Sequence, residues 1–451
     1  MKKVRLLFFV ILCSCTKSFP ATTPLVSESS GNTMSYEEMY NYISSKIKQT
    51  KSSDSFSLSE VCAVCGAEGP QCYLVNYDKG WELISADKRN PKPIMECTEG
   101  NLTSVKDIYF NPAQELFLNE QLKRISSELA SSYTSKNVEI SYLNKDDILL
   151  ENESASKYTS TQSRLSSRPI YLNDTTIITS CNHIVPTKWG YNYPWNTKTP
   201  YKDSLRVNHC SPGCTMIAIA LYLYFLMNEY DYDIKFYSDF YSDAVIPSDS
   251  SQYLTLSDND IHFTEASYGN HYAAMPCTNA GTGTDIVASF LVYLGYNLNA
   301  KYKQNGTGAS LFSAQSFLVN EYNISTVITG DKSSYPETID NIIYHAYPVI
   351  AQITQNDGEG GHVVIIDALK KSVRTYDVYY RIEVVKPGGG FQYILRYSHT
   401  ETETTWQIGL NWGWNGVGDS INGEPVWYNI DGELQHPIYS NCFDTIKRIM
   451  Y

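Results

Sequence analysis

A chain of 451 residues exceeds one ordinary domain, and two or three is the expected number. Its hydrophobic fraction of 42% is enough for real cores, and its 37 tyrosines suit half-buried strands and wet surfaces. A formal net charge of −13, with no basic stripe interleaved with aromatics, excludes a nucleic-acid groove as the main purpose, because phosphate affinity rests on Lys and Arg.

The N-terminus reads as an export signal. Met1 to Arg5 is basic, and the apolar run from Leu6 to Leu12 is too short to span a bilayer. It ends in Leu12-Cys13-Ser14-Cys15, which resembles the lipobox of bacterial lipoproteins, where the chain is cut before a cysteine whose thiol then carries lipid. Residues 1–14 are therefore expected to be a signal peptide, Cys15 the lipidation site, and the protein lipid-anchored to the cell envelope or surface. No later stretch is long and apolar enough for a transmembrane helix; Met216 to Met227 is the best and is too short. Beyond Cys15 there are nine cysteines, an odd count that leaves at least one thiol unpaired in an oxidising compartment. Cys62-Ala-Val-Cys65 has no second Cys-x-x-Cys and no nearby histidine, so it reads as structural, and no metal or cofactor is expected.

Residues 15–34 are rich in Ser, Thr and Pro and read as a flexible tether. Met39, Ile43 and Ile47 fall at helical spacing between Ser35 and Lys48. Cys72 to Val75 and Trp81 to Ser85 read as two strands around the turn Asp78-Lys79-Gly80, and Leu116 to Leu129 as an amphipathic helix. Together they make a small α+β unit over about 35–160. From about Asn152 to Arg168 the composition turns Ser/Thr-rich, so a linker with a candidate cutting site near Arg164 or Arg168 is expected, bounded at 161–180. A larger domain occupies 181–451.

Three local patterns carry chemistry. Ser211-Pro212-Gly213-Cys214 precedes a strongly apolar segment, so a buried helix begins at Cys214. A thiol there meets the positive end of the helix dipole, which favours the thiolate. Next, Gly360-Gly361-His362 heads the β-branched run Val363 to Ile366, placing an imidazole at the rim of a sheet after a glycine loop, with Pro348 to Thr354 as hairpin partner. Among the eight histidines only this one is flanked by both Gly-Gly and a long strand. The third is Asn411-Trp412-Gly413-Trp414, where an amide behind the imidazole fixes its tautomer and an indole shields the bond. His362 lies 148 residues after Cys214, within the papain-type range, whereas Asn411 lies 197 after it. An added hairpin, Arg374 to Val385 and Phe391 to Ser398, accounts for the excess.

Trp189, Pro194, Gly213-Cys214, Gly360-Gly361-His362 and Asn411-Trp412-Gly413-Trp414 resemble the signature blocks of the streptopain family of secreted bacterial cysteine peptidases, made as zymogens. Leu294-Gly295-Tyr296, Tyr302 and Gly306 to Ser310 resemble a further block, and Gly80 to Arg89 is similar to the strand pair of the family's inhibitory pro-domain. The resemblance runs from about residue 35 to 420. It implies an α+β papain-like domain, a helical half facing an antiparallel-sheet half, preceded by a small α+β pro-domain acting as intramolecular inhibitor. It further implies Cys214 as nucleophile, His362 as base, Asn411 and Trp412 beside it, and a cleft lined by Gly360, Gly361, Trp189 and Trp414. Where the family usually has a glutamine donating to the oxyanion, this chain has Tyr191. Tyr191 and Asn192 are then the side-chain donor candidates beside the Cys214 N–H. Protein or peptide substrates are expected, with no nucleic acid. Two rival readings share the residues: a papain-fold surface lipoprotein that binds without catalysis, and a transglutaminase or amidase using the same triad.

Overall fold

The computed structural model describes residues 32–49, 57–66, 69–89, 91, 93–102, seven positions between 114 and 129, 149–150, 164–278, 282–326, 328–329, 347–354, 361–385, 391–429 and 446–450. The signal segment, Cys15, most of the tether and Gly360 lie outside the described residues. Among those described, no helix is long and apolar enough to cross a membrane.

Helix α1 (Tyr36–Gln49) starts in a capping box: Glu38 N–H donates to Ser35 Oγ, and Ser35 N–H to Glu38 Oε2. Its expected inner positions Met39 and Ile43 are fully buried. An antiparallel meander follows, β1 (Leu58–Gly66), β2 (Gly69–Tyr77), β3 (Trp81–Ser85) and β4 (Pro93–Cys97). The described positions between 114 and 129 are helical, and Leu118, Leu122, Ile125 and Leu129 are buried at the spacing of one helix face.

Strands β5 (Leu149–Leu150) and β6 (Arg164–Cys181) come next. The helical half holds α2 (Cys214–Tyr230), the pair β7 (Phe236–Tyr237) and β8 (Tyr268–Gly269), and α3 (Thr284–Asn297). It continues with the pair β9 (Lys301–Lys303) and β10 (Gly306–Gly308), then α4 (Leu311–Tyr322). Every residue of α2 from Thr215 to Met227 is buried, the pattern of a helix enclosed on all sides. The sheet half adds β11 (Ile328–Thr329), β12 (Val349–Thr354), β13 (Gly361–Val385) and β14 (Phe391–Asn411). It ends with the small pair β15 (Ser420–Ile421) and β16 (Glu424–Pro425), β17 (Trp427–Asn429) and β18 (Ile446–Met450). This is the expected α+β arrangement of a helical half against an antiparallel sheet. The expected hairpins are present too: Ile353 pairs with His362, and Val385 with Phe391.

Two features differ from the sequence reading. Arg164 and Arg168 lie in β6 and not in a linker, Arg164 opposite Glu383 of β13 and Arg168 at a shift in the register, because the long hairpin β13–β14 offers a free edge that the polar segment joins. The N-terminal meander, which has a core of its own with α1, also runs on into the larger sheet. Its last strand pairs with β17, Met95 opposite Tyr428 and Glu96 opposite Trp427, giving one twelve-stranded sheet. The pleat explains the sharing. Val363 and Ile365 of β13 enter the core around α2, whereas Val364 and Ile366 enter a second core with Leu74, Trp81, Leu83 and Met95. The helical half thus covers one face of the catalytic sheet and the N-terminal meander backs the other. Lys370 Nζ reaches Glu96 Oε1 at 2.5 Å across the seam, and this cation holds the half-buried Glu96 carboxyl below its ordinary range against the cost of desolvation. We expect Met95→Ala to cost about 2–5 kcal/mol. A thermal melt should lose meander and catalytic sheet in one transition; two separated transitions would show that the cores are independent.

Candidate active site

Cys214 is the first residue of α2. Gly213 before it has φ +94°, and a Cβ there would lie 2.5 Å from Thr307 O, so only glycine lets β10 approach the helix start. Thr215 Oγ donates to Ala309 O (2.9 Å) and Thr307 Oγ to Ser211 O (2.6 Å), pinning both sides of the cysteine loop. Burial pushes the Cys214 thiol up, while the amides of Val363 and Thr215 against it favour the thiolate. Val363 is the residue after His362, so the sheet rim carrying the histidine closes over the helix carrying the cysteine.

His362 is buried, 8% exposed, although it stands at the strand's edge. Its Nε2 donates to Trp412 O (3.2 Å), and its ring lies near parallel to the Trp412 indole, 25° apart with centroids at 6.2 Å. With the proton on Nε2, Nδ1 carries the lone pair. Burial drives the imidazole down to about 4, against the hydrogen bond to Trp412 that raises it. In this arrangement thiol and imidazole are both neutral at neutral pH.

Asn411 is close by but does not hold the ring. Its Nδ2 donates to Thr187 O (3.1 Å) and its Oδ1 accepts from Gly413 N–H (3.1 Å). The expected side-chain orienter is replaced by the backbone carbonyl one residue on, and Asn411 clamps the turn that presents it.

Tyr191 lies beside His362 and close to Cys214. Its hydroxyl lies 3.2 Å from His362 Nε2 and 3.4 Å from Nδ1, and its ring packs 4.5 Å from that of Trp414. Burial and the neighbouring Cys214 push the phenol well above its ordinary range, so it stays a neutral donor. Trp414 is half-buried here, as a wall residue should be. Trp189 is not a wall: it is fully buried, donates from Nε1 to Pro276 O (2.7 Å) and belongs to the core around α2. Asn192 is exposed, and Gly361 is exposed at the rim. Asn415 was missed by sequence reasoning. Its Oδ1 accepts from Trp195 Nε1 at 2.5 Å and its N–H donates to Trp189 O at 3.1 Å, tying the Tyr191 loop to the tryptophan turn. Gly190 permits this approach, since a Cβ there would lie 2.6 Å from Asn415 Oδ1.

No group of three or more His, Cys, Asp or Glu among the described residues could hold a metal ion.

A cysteine at a helix N-terminus, set against a strand carrying a tautomer-fixed histidine where a helical half meets a sheet half, is the layout of a papain-like cysteine peptidase. The sequence model of the Peptidase C10 family matches residues 189–421, just over half the chain, and the chain belongs to that family of cysteine peptidases, the streptopain family. No curated protein matches the chain.

Proposed function

We propose that this cysteine peptidase is an exported endopeptidase made as a zymogen, hydrolysing protein substrates with Cys214 as nucleophile and His362 as base. The observation that carries the reading is the Nε2 bond of His362 to Trp412 O, which leaves Nδ1 bearing the lone pair, on a strand whose next residue, Val363, donates its N–H to the Cys214 thiol. In the reaction, the Cys214 proton passes to Nδ1 and the thiolate attacks the scissile carbonyl. The oxyanion takes hydrogen bonds from the Cys214 N–H and the Tyr191 hydroxyl, and the imidazolium returns its proton to the leaving amine. Water, deprotonated by His362, then releases the acyl-enzyme.

Zymogen control fits the N-terminal meander and helix, acting from behind the sheet. Gln114 Nε2 donates to Tyr428 OH (2.7 Å), Tyr428 packs edge-on against Trp412, and Trp412 lies against His362. Processing near Arg164 or Arg168 requires the edge strand β6 to open first. Export and lipid attachment at Cys15 belong to the same proposal, and labelled fatty acid incorporated by the wild type should be absent from Cys15→Ser.

A second reading, a papain-fold surface lipoprotein that binds peptides or a protein partner without catalysis, draws on Tyr191, whose hydroxyl lies against the imidazole. An iodoacetamide-type probe separates the two, applied before and after trimming near Arg164 or Arg168. Labelling at Cys214 that is lost in His362→Ala supports the peptidase; slow labelling indifferent to that change supports the binder.

A further inference from the structure

Behind the Trp412 turn lies a buried charged cluster that the reaction does not use. Asp367 sits at a β-bulge in β13, between the pairs Ile366–Leu410 and Ala368–Gly409, and the bulge re-aims its side chain. Its carboxylate is fully buried and accepts from His183 Nδ1 (2.7 Å) and from Val185 N–H (3.2 Å). The other ring nitrogen of His183, Nε2, faces Asp419 O at 2.9 Å. A carboxylate and a backbone carbonyl only accept, so both ring nitrogens must carry hydrogen and His183 is a cation. Asp419, also buried, accepts from Trp412 N–H through Oδ1 (2.9 Å). The Trp412 peptide is therefore held at its N–H by Asp419 while its carbonyl holds His362.

We propose that His183, kept as an imidazolium between Asp367 and Asp419, is a positioning residue for catalysis, fixing the Trp412 peptide whose carbonyl sets the tautomer of His362. The proposal rests on the peptidase reading of Cys214 and His362. Its physical basis is the route His183–Asp419–Trp412–His362, in which each link is a hydrogen bond. Asp367 and the Asp419 carbonyl raise His183 to about 9 against the cost of burial. Burial raises the Asp419 carboxyl to about 7, opposed by Trp412 N–H, His183 and Lys188. Cys181, at the end of β6, is pushed up by burial and by the charge of Asp367. His183 was invisible to motif spacing, since it precedes the matched family range and has no glycine or strand signature around it.

The test uses the full chain, trimmed near Arg164 or Arg168 for the rate measurements, with His183→Ala, His183→Gln, Asp419→Ala and Asp419→Asn, a fluorogenic peptide substrate, and 15N NMR of the histidine rings. His183→Ala and Asp419→Ala should lower kcat about 10- to 100-fold with KM within about threefold, because a small misplacement of the base is costly in rate and not in binding. Asp419→Asn keeps an acceptor for Trp412 N–H and should recover at least about a third of the wild-type rate. In the wild type both ring nitrogens of His183 should be protonated at neutral pH. A folded His183 above its ordinary value stabilises fully below about 6.5, and that contribution is lost as pH rises through about 9. The melting temperature should therefore fall across that window in the wild type, and less in His183→Gln. A neutral His183 ring at pH 7, or an unchanged kcat in folded His183→Gln, overturns the proposal. If the alanine variants fail to fold, the glutamine variant and the ring spectrum decide. A wild type that stays inactive after trimming near Arg164 or Arg168, yet still shows the imidazolium, would instead overturn the peptidase reading, and this role with it.

Discussion

Replacing His362 with alanine should lower kcat/KM for peptide hydrolysis by about 10⁴-fold or more, and slow alkylation of Cys214 in parallel. The two readouts move together because one group serves both. Without the Nδ1 lone pair, the Cys214 thiol loses the base that the proposed mechanism gives it. Burial holds that thiol above its ordinary value, so the thiolate fraction at neutral pH becomes very small. Tyr191 cannot substitute, since burial and Cys214 keep it a neutral phenol, whose oxygen is far too weak a base to take the thiol proton. The fold should survive the change, because the ring's one bond to the sheet is its Nε2 contact with Trp412 O and the core around Trp412 is built by apolar packing. Hydrolysis within tenfold of the wild type would end the assignment of His362 as base.

The same residue gives a pH signature. Burial depresses His362 to about 4, from an ordinary value of 6.5. A depressed histidine favours the closed arrangement fully above pH 6.5, and that contribution is lost as pH falls through about 4. Mild acid therefore loosens the neutral pair, and the acid decline of the melting temperature between those values should be smaller in His362→Ala.

Much of this was legible in the sequence because the relevant signals are local. The helix from Cys214 announces itself by a Pro-Gly break before a run of apolar residues, and β13 by a β-branched run after Gly-Gly. What escaped was long-range. Asn411 is an amide in the expected place, yet the turn aims it at Thr187 O and Gly413 N–H, and the neighbouring carbonyl takes its expected part. A backbone acceptor has no sequence signature. Arg164 and Arg168 sit in polar composition that reads as loop, but pairing with a 25-residue strand overrides local propensity. Trp189 is written in the same aromatic-rich stretch as Tyr191, and only packing against α2 shows it to be core. Asp367 closes an apolar run and Asp419 follows a glycine turn, but neither hints that His183 joins them across more than 180 positions.

Tyr191→Phe should cut kcat by about 10²- to 10³-fold with little change in KM, the loss typical of one oxyanion donor. Phenylalanine keeps the ring, the packing on Trp414 and the seal over the site, so the change isolates the hydroxyl. In the described arrangement that hydroxyl rests within 3.4 Å of both imidazole nitrogens, and in the proposed reaction a short swing of the phenol carries it to an oxygen forming at the carbon that Cys214 attacks. Because the phenol is held neutral, it donates at every pH at which the enzyme works. Tyr191→Gln then serves as the chemical control: an amide N–H placed from the same position should retain more activity than phenylalanine, since it restores a donor while losing the ring. Two outcomes would reverse the assignment. A rate that rises in Tyr191→Phe would make the hydroxyl a plug on His362, and equal rates in the two variants would leave the Cys214 N–H as the site's sufficient donor.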